Sequence, residues 1–330
     1  MDSDSTRAGH SVAPISLAAF KQVYATRAVE DALGELTQTS NEALRSTYEK
    51  MLRAGGLRFA VKPSALPEMD ALYEDLPNFT EPLDDIRKQL ALCSGTEDRL
   101  ELAPMLLLGD PGIGKTHFAK RLSRLLGTGL GFISMSSLTA GWVLSGASSQ
   151  WKNAKPGKVF ETLVHGDYAN PVMVVDEIDK AGGDTQFDPL GALYSLLEHD
   201  TASEFVDEFA EVPIDAADVV WIATANSAQY IPEPILNRMN VYEIAGPDYA
   251  GACRIAQAIY GEIRSTHGWG QRFPEALGLE VLDRLARCAP REMRRLLVNG
   301  FGNARLNCRD EIIADDVDND RSAKKSRIGF

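Results

Sequence analysis

The feature that most constrains this chain is an eight-residue run, Gly109-Asp110-Pro111-Gly112-Ile113-Gly114-Lys115-Thr116. It fits the phosphate-loop pattern GxxxxGK[ST]. The apolar Met105-Leu106-Leu107-Leu108 precedes it and a helical stretch, His117 to Leu126, follows. The expected context is therefore strand, loop, helix. Glycines let the backbone curl so that several N–H groups face one anion. The following helix points its positive end at the same place. Lys115 brings a compact positive charge to the β- and γ-phosphates, and Thr116 offers a hydroxyl to Mg²⁺. His117 closes the nucleotide-binding segment as an early-helix residue whose ring is read as having no chemistry of its own.

The rest of the chain is organised around that loop. Short apolar runs recur at Phe132 to Met135, Val172 to Val175, Val219 to Ala223 and Val241 to Ile244, with helical segments between them. That alternation predicts a parallel sheet covered by helices on both faces, an α/β fold. Beyond Gly246 the strand signals stop. Tyr249 to Ser265, Glu275 to Cys288 and Arg291 to Asn307 read as helices of a small domain. Upstream, Leu17 to Leu36 is expected to be one helix, because Phe20, Tyr24, Ala28, Ala32 and Leu36 repeat at a spacing of four. A second helix is expected from Ser40 or Asn41 to Gly55-Gly56, then a short strand over Leu57, Phe59 and Val61. The expected division is 1–75 mainly helical with a flexible tail, 76–246 the α/β domain, 247–316 a helical lid and 317–330 a second tail.

Two further strand ends carry chemistry. Val172-Met173-Val174-Val175 runs into Asp176-Glu177, the Walker B arrangement that partners a phosphate loop, or Walker A. Asp176 would hold Mg²⁺ through its water shell, and Glu177 would orient and deprotonate the attacking water. Val219 to Ala223 ends in Thr224-Ala225-Asn226. Asn226, at a neighbouring strand tip, would position that water by its amide; on local sequence alone a turn-forming Asn reads equally well.

The order of these segments is specific. Gly-Asp-Pro-Gly-Ile-Gly-Lys-Thr is followed by Asp176-Glu177-Ile178-Asp179-Lys180, Ala223-Thr224-Ala225-Asn226 and Ile235-Leu236-Asn237-Arg238-Met239. The chain here resembles the AAA+ P-loop ATPases, and within them the ATPase module of the Lon protease family, over roughly Leu76 to Ala314. Asp188 to Leu193 and Phe205 to Pro213 share the likeness. The resemblance implies ATP and Mg²⁺ as ligands and ATP hydrolysis as the activity. It implies that Arg238 is an arginine finger acting on a neighbouring subunit's γ-phosphate, in a homo-hexameric ring. It places the family's sensor-2 arginine at Arg291, with Arg294 and Arg295 as competitors. It aligns Gln150 to Lys158 with a substrate-gripping pore loop, in which Trp151 takes the aromatic place and Lys152 replaces the usual aliphatic neighbour. A Trp151 packed into the core is the competing reading.

Lon proteins continue into a peptidase domain with a Ser–Lys dyad. No such constellation is identified in this sequence, so proteolysis by the chain itself is not expected, and a separate peptidase is a candidate partner. The net charge of -13 over 330 residues argues against a general nucleic-acid face. Cys93, Cys253, Cys288 and Cys308 make no CxxC pair and no metal spacing. The N-terminus lacks a signal-peptide pattern, and no apolar run approaches the ~20 residues of a membrane span. A cytoplasmic ATPase that remodels or threads a protein is the expected function. A nucleotide-switch assembly factor is the main rival and a DNA-acting loader the weaker one.

Overall fold

The computed structural model describes residues 16–36, 42–137, 142–181 and 188–318. The expected tail before Ser11, the Ser40/Asn41 caps and most of the C-terminal tail lie outside them. The chain opens with a strand, β1 (Ser16–Gln22), followed by helices α1 (Thr26–Glu35) and α2 (Glu42–Ala54) and a strand β2 (Leu57–Pro63). The single helix expected over Leu17 to Leu36 is thus corrected to strand plus helix. Only Phe20 of the four-residue apolar repeat falls within β1, while Ala28 and Ala32 lie on α1, where the spacing keeps one helix face. β1 pairs antiparallel with β2, Ser16 opposite Pro63 and Gln22 opposite Leu57. Phe20 ends up 68% exposed while Lys21 is buried, its ammonium 2.9 Å from both Asp215 and Asp218. α2 buries Leu44, Tyr48 and Met51 and stops at Gly55, whose φ is +70°.

This hairpin is stitched to its surroundings by polar groups. Arg58 is buried and donates to the carbonyls of Gly55, Leu57, Leu163 and Val164. Asn170 accepts from Val61 N–H at 3.0 Å and donates to Val61 O at 2.7 Å.

After α3 (Asp70–Asp75) and α4 (Thr80–Cys93) comes the α/β part. It contains β3 (Met105–Leu108), α5 (Lys115–Leu126), β4 (Leu130–Ser134), α6 (Trp142–Ser145), α7 (Lys158–Val164), β5 (Val172–Asp176), α8 (Leu193–Leu196) and α9 (His199–Ala202). A small hairpin, β6 (Phe205–Val206) and β7 (Pro213–Ile214), is followed by β8 (Val220–Ala225), α10 (Glu233–Leu236) and β9 (Asn240–Glu243). Five strands form one parallel sheet in the order β4-β5-β8-β3-β9. β5 is buried from Val172 to Val175 and β8 throughout, as strands covered on both faces must be.

The chain separates into two compact units. The first holds the residues up to Met69, Asp84–Leu107 and Ala119–Tyr242, and so the sheet. The second holds Asp70–Leu83, Leu108–Phe118 and the residues from Glu243 onward. Its core comes from α11 (Tyr249–Thr266), α12 (Leu279–Leu285) and α13 (Pro290–Leu306). There Tyr260 stacks on Phe301 at 5.2 Å, and Phe273 meets Phe301 edge-on at 4.7 Å. Asp248 caps α11 by accepting from Gly251 N–H at 2.7 Å. Among the described residues, no helix is long and apolar enough to cross a membrane.

Candidate nucleotide site

In the second unit the glycine-rich loop leaves β3 and enters α5 at Lys115. Gly109, Gly112 and Gly114 all have positive φ, at 155°, 84° and 110°. Crowding fixes Gly109, and at Gly112 the positive φ is joined by a tight approach. A Cβ on Gly109 would lie 2.3 Å from the Ile244 carbonyl oxygen, and one on Gly112 would lie 3.3 Å from Arg291 Cβ. Ile113 is buried under the loop, whereas Asp110 and Pro111 are exposed on it. The Gly114 carbonyl accepts from Phe118 N–H at 2.9 Å and opens the helix. Lys115 is 8% exposed, and its ammonium donates to the carbonyls of Gly109 and Asp110. Thr116 is half-buried in the first turn and His117 is exposed beside it. A loop that keeps Cβ atoms out and turns a buried ammonium inward fits the oxygens of a phosphate chain.

In the first unit β5 delivers Asp176 and Glu177 to the end of the sheet. β8 runs alongside in register, Val175 opposite Ala223, which sets Thr224 level with Asp176. The Thr224 hydroxyl donates to Asp176 Oδ1 at 2.7 Å and accepts from Glu177 N–H at 3.0 Å. Glu177 itself is left-handed, φ 56° and ψ 48°, an uncommon conformation for a residue with a Cβ. Asp179 has a buried side chain; its Oδ2 accepts from Asn226 N–H at 3.2 Å. Its Oδ1 is buried without a hydrogen-bond partner among the described residues. Asp176, Glu177 and Asn226 are therefore brought to adjacent strand ends. Asp176 and Glu177 are both half-exposed.

The two arginines differ. Arg238 follows α10, with Nη1 on Pro234 O at 2.7 Å and Nε 2.7 Å from Glu198 Oε1, an ion pair whose N–H is not aimed at the oxygen. Arg291 is exposed in the first turn of α13, and its N–H reaches Gly112 O at 3.4 Å. Its competitors are engaged elsewhere, Arg294 with Glu262 and Arg295 with Glu292.

Trp151 stands on the loop between α6 and α7 and is 50% exposed, so it is not a core residue. Trp142 meets it edge-on. Lys152 next to it is exposed.

Residues 105–246 match the ATPase family associated with various cellular activities (AAA). This stretch is an AAA domain. It resembles the ATPase module of Lon proteases. The peroxisomal Lon protease homolog 2 of Arabidopsis thaliana is 32% identical over 187 residues, which are 56% of this chain and 21% of that protein. The mitochondrial Lon protease homolog of Schizosaccharomyces pombe is 36% identical over 153 residues, 46% of this chain and 14% of that protein. The matched part thus spans about a fifth or less of these curated relatives. The Saccharomyces cerevisiae Hsp104:casein complex in its extended conformation superposes with a TM-score of 0.58 at 17% identity, over 84% of this chain and 51% of that one. That likeness concerns the fold.

Sequence reasoning missed three polar groups in or beside this AAA domain. Thr224 lay inside the quoted Ala-Thr-Ala-Asn, but its partners are 47 and 48 residues away. Asp207 is fully buried and accepts from the N–H groups of Gly157, Phe209 and Ala210 at 2.7, 3.0 and 3.2 Å. Burial pushes its pKa up to about 6 despite these donors, with the Glu208 charge adding to the rise. Asn78 donates to Ala245 O at 3.0 Å and Ile113 O at 3.4 Å, tying the segment before α4 to the phosphate loop within the second unit.

Proposed function

We propose that this chain is an ATP-hydrolysing AAA+ motor, working as a homo-hexameric ring on a protein substrate. The observation that carries the reading is the buried Lys115 ammonium turned into a loop whose glycines exclude Cβ atoms. In this reading Gly109 to His117 receive the phosphates of ATP. Thr116 and Asp176 hold Mg²⁺, Asp176 through water. Bound Mg²⁺ would neutralise charge on the β- and γ-oxygens. Glu177 takes the proton of the attacking water, Asn226 orients that water, and Thr224 fixes the rotamer of Asp176. Arg291 reaches the nucleotide from its place against Gly112, whereas Arg294 and Arg295 are held in ion pairs with Glu262 and Glu292. Residues 76–246 serve as the ATPase domain, 247–316 as its helical lid and 1–75 as an adaptor region. Trp151 and Lys152 face the substrate, and a separate peptidase is a partner of fitting chemistry.

A nucleotide-switch reading draws on one observation. Arg238 is held by Glu198 of its own chain, so assembly would have to exchange that ion pair for a γ-phosphate. Both readings need the same ATP chemistry, which two variants test. Lys115→Ala should abolish ATP binding in calorimetry with Mg²⁺. Glu177→Gln should keep it and lower phosphate release by about 10²–10⁴-fold. Parental affinity in the first variant, or parental turnover in the second, refutes the assignment.

A further inference from the structure

The exposed aromatic surface of the Trp151 loop carries more than one gripping residue. Trp142 and Trp151 are 41% and 50% exposed, with ring centroids 5.8 Å apart and planes at 87°. Two perpendicular indoles make a corner into which one apolar side chain can pack against a ring face and a ring edge. A shallow groove there is lined by both rings together with Ala147, Lys152, Lys155 and Pro156. Lys152 and Lys155 are exposed, and neither forms an ion pair among the described residues. Lys158, by contrast, is neutralised by Glu161 at 3.1 Å.

The backbone sets this group in place. Trp151 N–H donates to Ser148 O at 2.9 Å, Ala154 N–H to Trp151 O at 3.2 Å, and Ala147 N–H to Lys155 O at 3.1 Å. Asn153 turns the chain with φ 64°. The base of the loop is anchored where Gly157 N–H meets the buried Asp207.

We propose that Trp142, Trp151, Lys152 and Lys155 form one recognition surface for an extended peptide segment that carries aspartate or glutamate beside an apolar residue. The proposal rests on the reading of Trp151 as a substrate-gripping residue and names the substrate class. The apolar side chain fills the indole corner. Carboxylates a residue or two away, at ~3.3 Å per residue, come within reach of the long lysine stems. A chain of net charge -13 repels acidic peptides at a distance, and two lysines that form no ion pair among the described residues supply positive charge locally. Two cations are too few to track a nucleic-acid backbone, which takes a row of them.

The test uses the full chain with Glu177→Gln, in ATP and Mg²⁺. Fluorescence anisotropy compares three labelled peptides that share one apolar framework and differ only in flanking Glu, Gln or Lys. The Glu peptide should bind tighter than the Gln peptide by roughly three- to tenfold at low salt, and the advantage should shrink as salt rises. Lys152→Gln with Lys155→Gln should erase it and leave the Gln peptide's affinity unchanged. Trp142→Ala and Trp151→Ala should weaken both peptides without loss of melting temperature. Equal binding of the Glu and Gln peptides, or an advantage that survives the double lysine variant, overturns the proposal while Trp151-dependent binding leaves the gripping reading standing. Peptide binding indifferent to Trp151→Ala, or none at all, sinks both. Displacement of the peptide by a single-stranded oligonucleotide of higher affinity overturns the proposal in favour of nucleic acid.

Discussion

Thr224→Val is the perturbation that most directly probes the acidic strand end. Valine keeps the shape of a side chain that is 1% exposed, so packing is preserved and only the hydroxyl is lost. Two hydrogen bonds go with it, the donor to Asp176 at 2.7 Å and the acceptor for Glu177 N–H at 3.0 Å. A bond to a charged group contributes about 1.5–3 kcal/mol, and a stranded N–H costs about 1–3 kcal/mol. The two share one hydroxyl and do not add in full, and water can replace the donor at the half-exposed Asp176. A net loss of about 2–4 kcal/mol follows, or roughly 3–6 °C of melting temperature in a chain of this size. The effect on turnover should be larger than stability alone explains. The hydroxyl holds Glu177 in its left-handed conformation, which costs about 1–3 kcal/mol to maintain. Released from it, the carboxylate leaves its place, and ATP turnover should fall roughly tenfold or more with nucleotide affinity kept. Thr224→Ser retains the hydroxyl and should restore most of both. Melting curves, calorimetry and phosphate release on the three proteins decide it. A valine variant within about 1 °C of the parent with parental turnover, or a serine variant as impaired as valine, would rule out this role for the Thr224 hydroxyl.

Asp207 predicts a pH signature. Its folded pKa of about 6 stands above the ordinary 3.8, so the folded state binds the extra proton. Its ionisation therefore costs stability as pH rises through the window from about 4 to 6. At about 1.4 kcal/mol per unit, the parent should lose at most about 3 kcal/mol relative to Asp207→Asn across that window and nothing further above it. A difference between the two proteins that is flat from pH 4 to 7 in urea titrations would count against the burial argument. For Arg238, the alanine variant should have little ATPase activity alone and partly recover when mixed with Lys115→Ala subunits, since some interfaces then pair an intact loop with an intact arginine. Full activity of Arg238→Ala by itself ends the idea of a shared site.

The phosphate loop was legible because its chemistry is contiguous: every glycine and the lysine lie within eight residues. The sheet strands were legible as short apolar runs, since strands buried on both faces leave little room for polar letters. Thr224, by contrast, takes its meaning from the register of β5 against β8. Local sequence does not contain that register. Asp207 is similar, because its partners at Gly157 lie 50 residues away. Arg58 alternates with Leu57, Phe59 and Val61 in the expected short strand, yet it is buried, with carbonyls of the distant α7 as partners. β1 failed for a different reason: the apolar repeat belongs to α1 and only Phe20 of it reaches into β1, whose extended state comes with its pairing to the distant β2.

The way Arg58, Tyr48 and Lys21 are used bears on how this protein can be divided. Arg58 closes the carbonyl end of α7, at Leu163 and Val164, while Tyr48 donates to Ala210 O at 2.7 Å and Lys21 lies between Asp215 and Asp218. A truncation that begins after Pro63 would therefore strand acceptors in α7 and bare two aspartates next to the β6–β7 hairpin. The described residues from Ser16 to Pro63 are not a detachable module to be swapped for another adaptor. They are a keel for the sheet, and a graft that exchanged them would have to bring its own cation for α7.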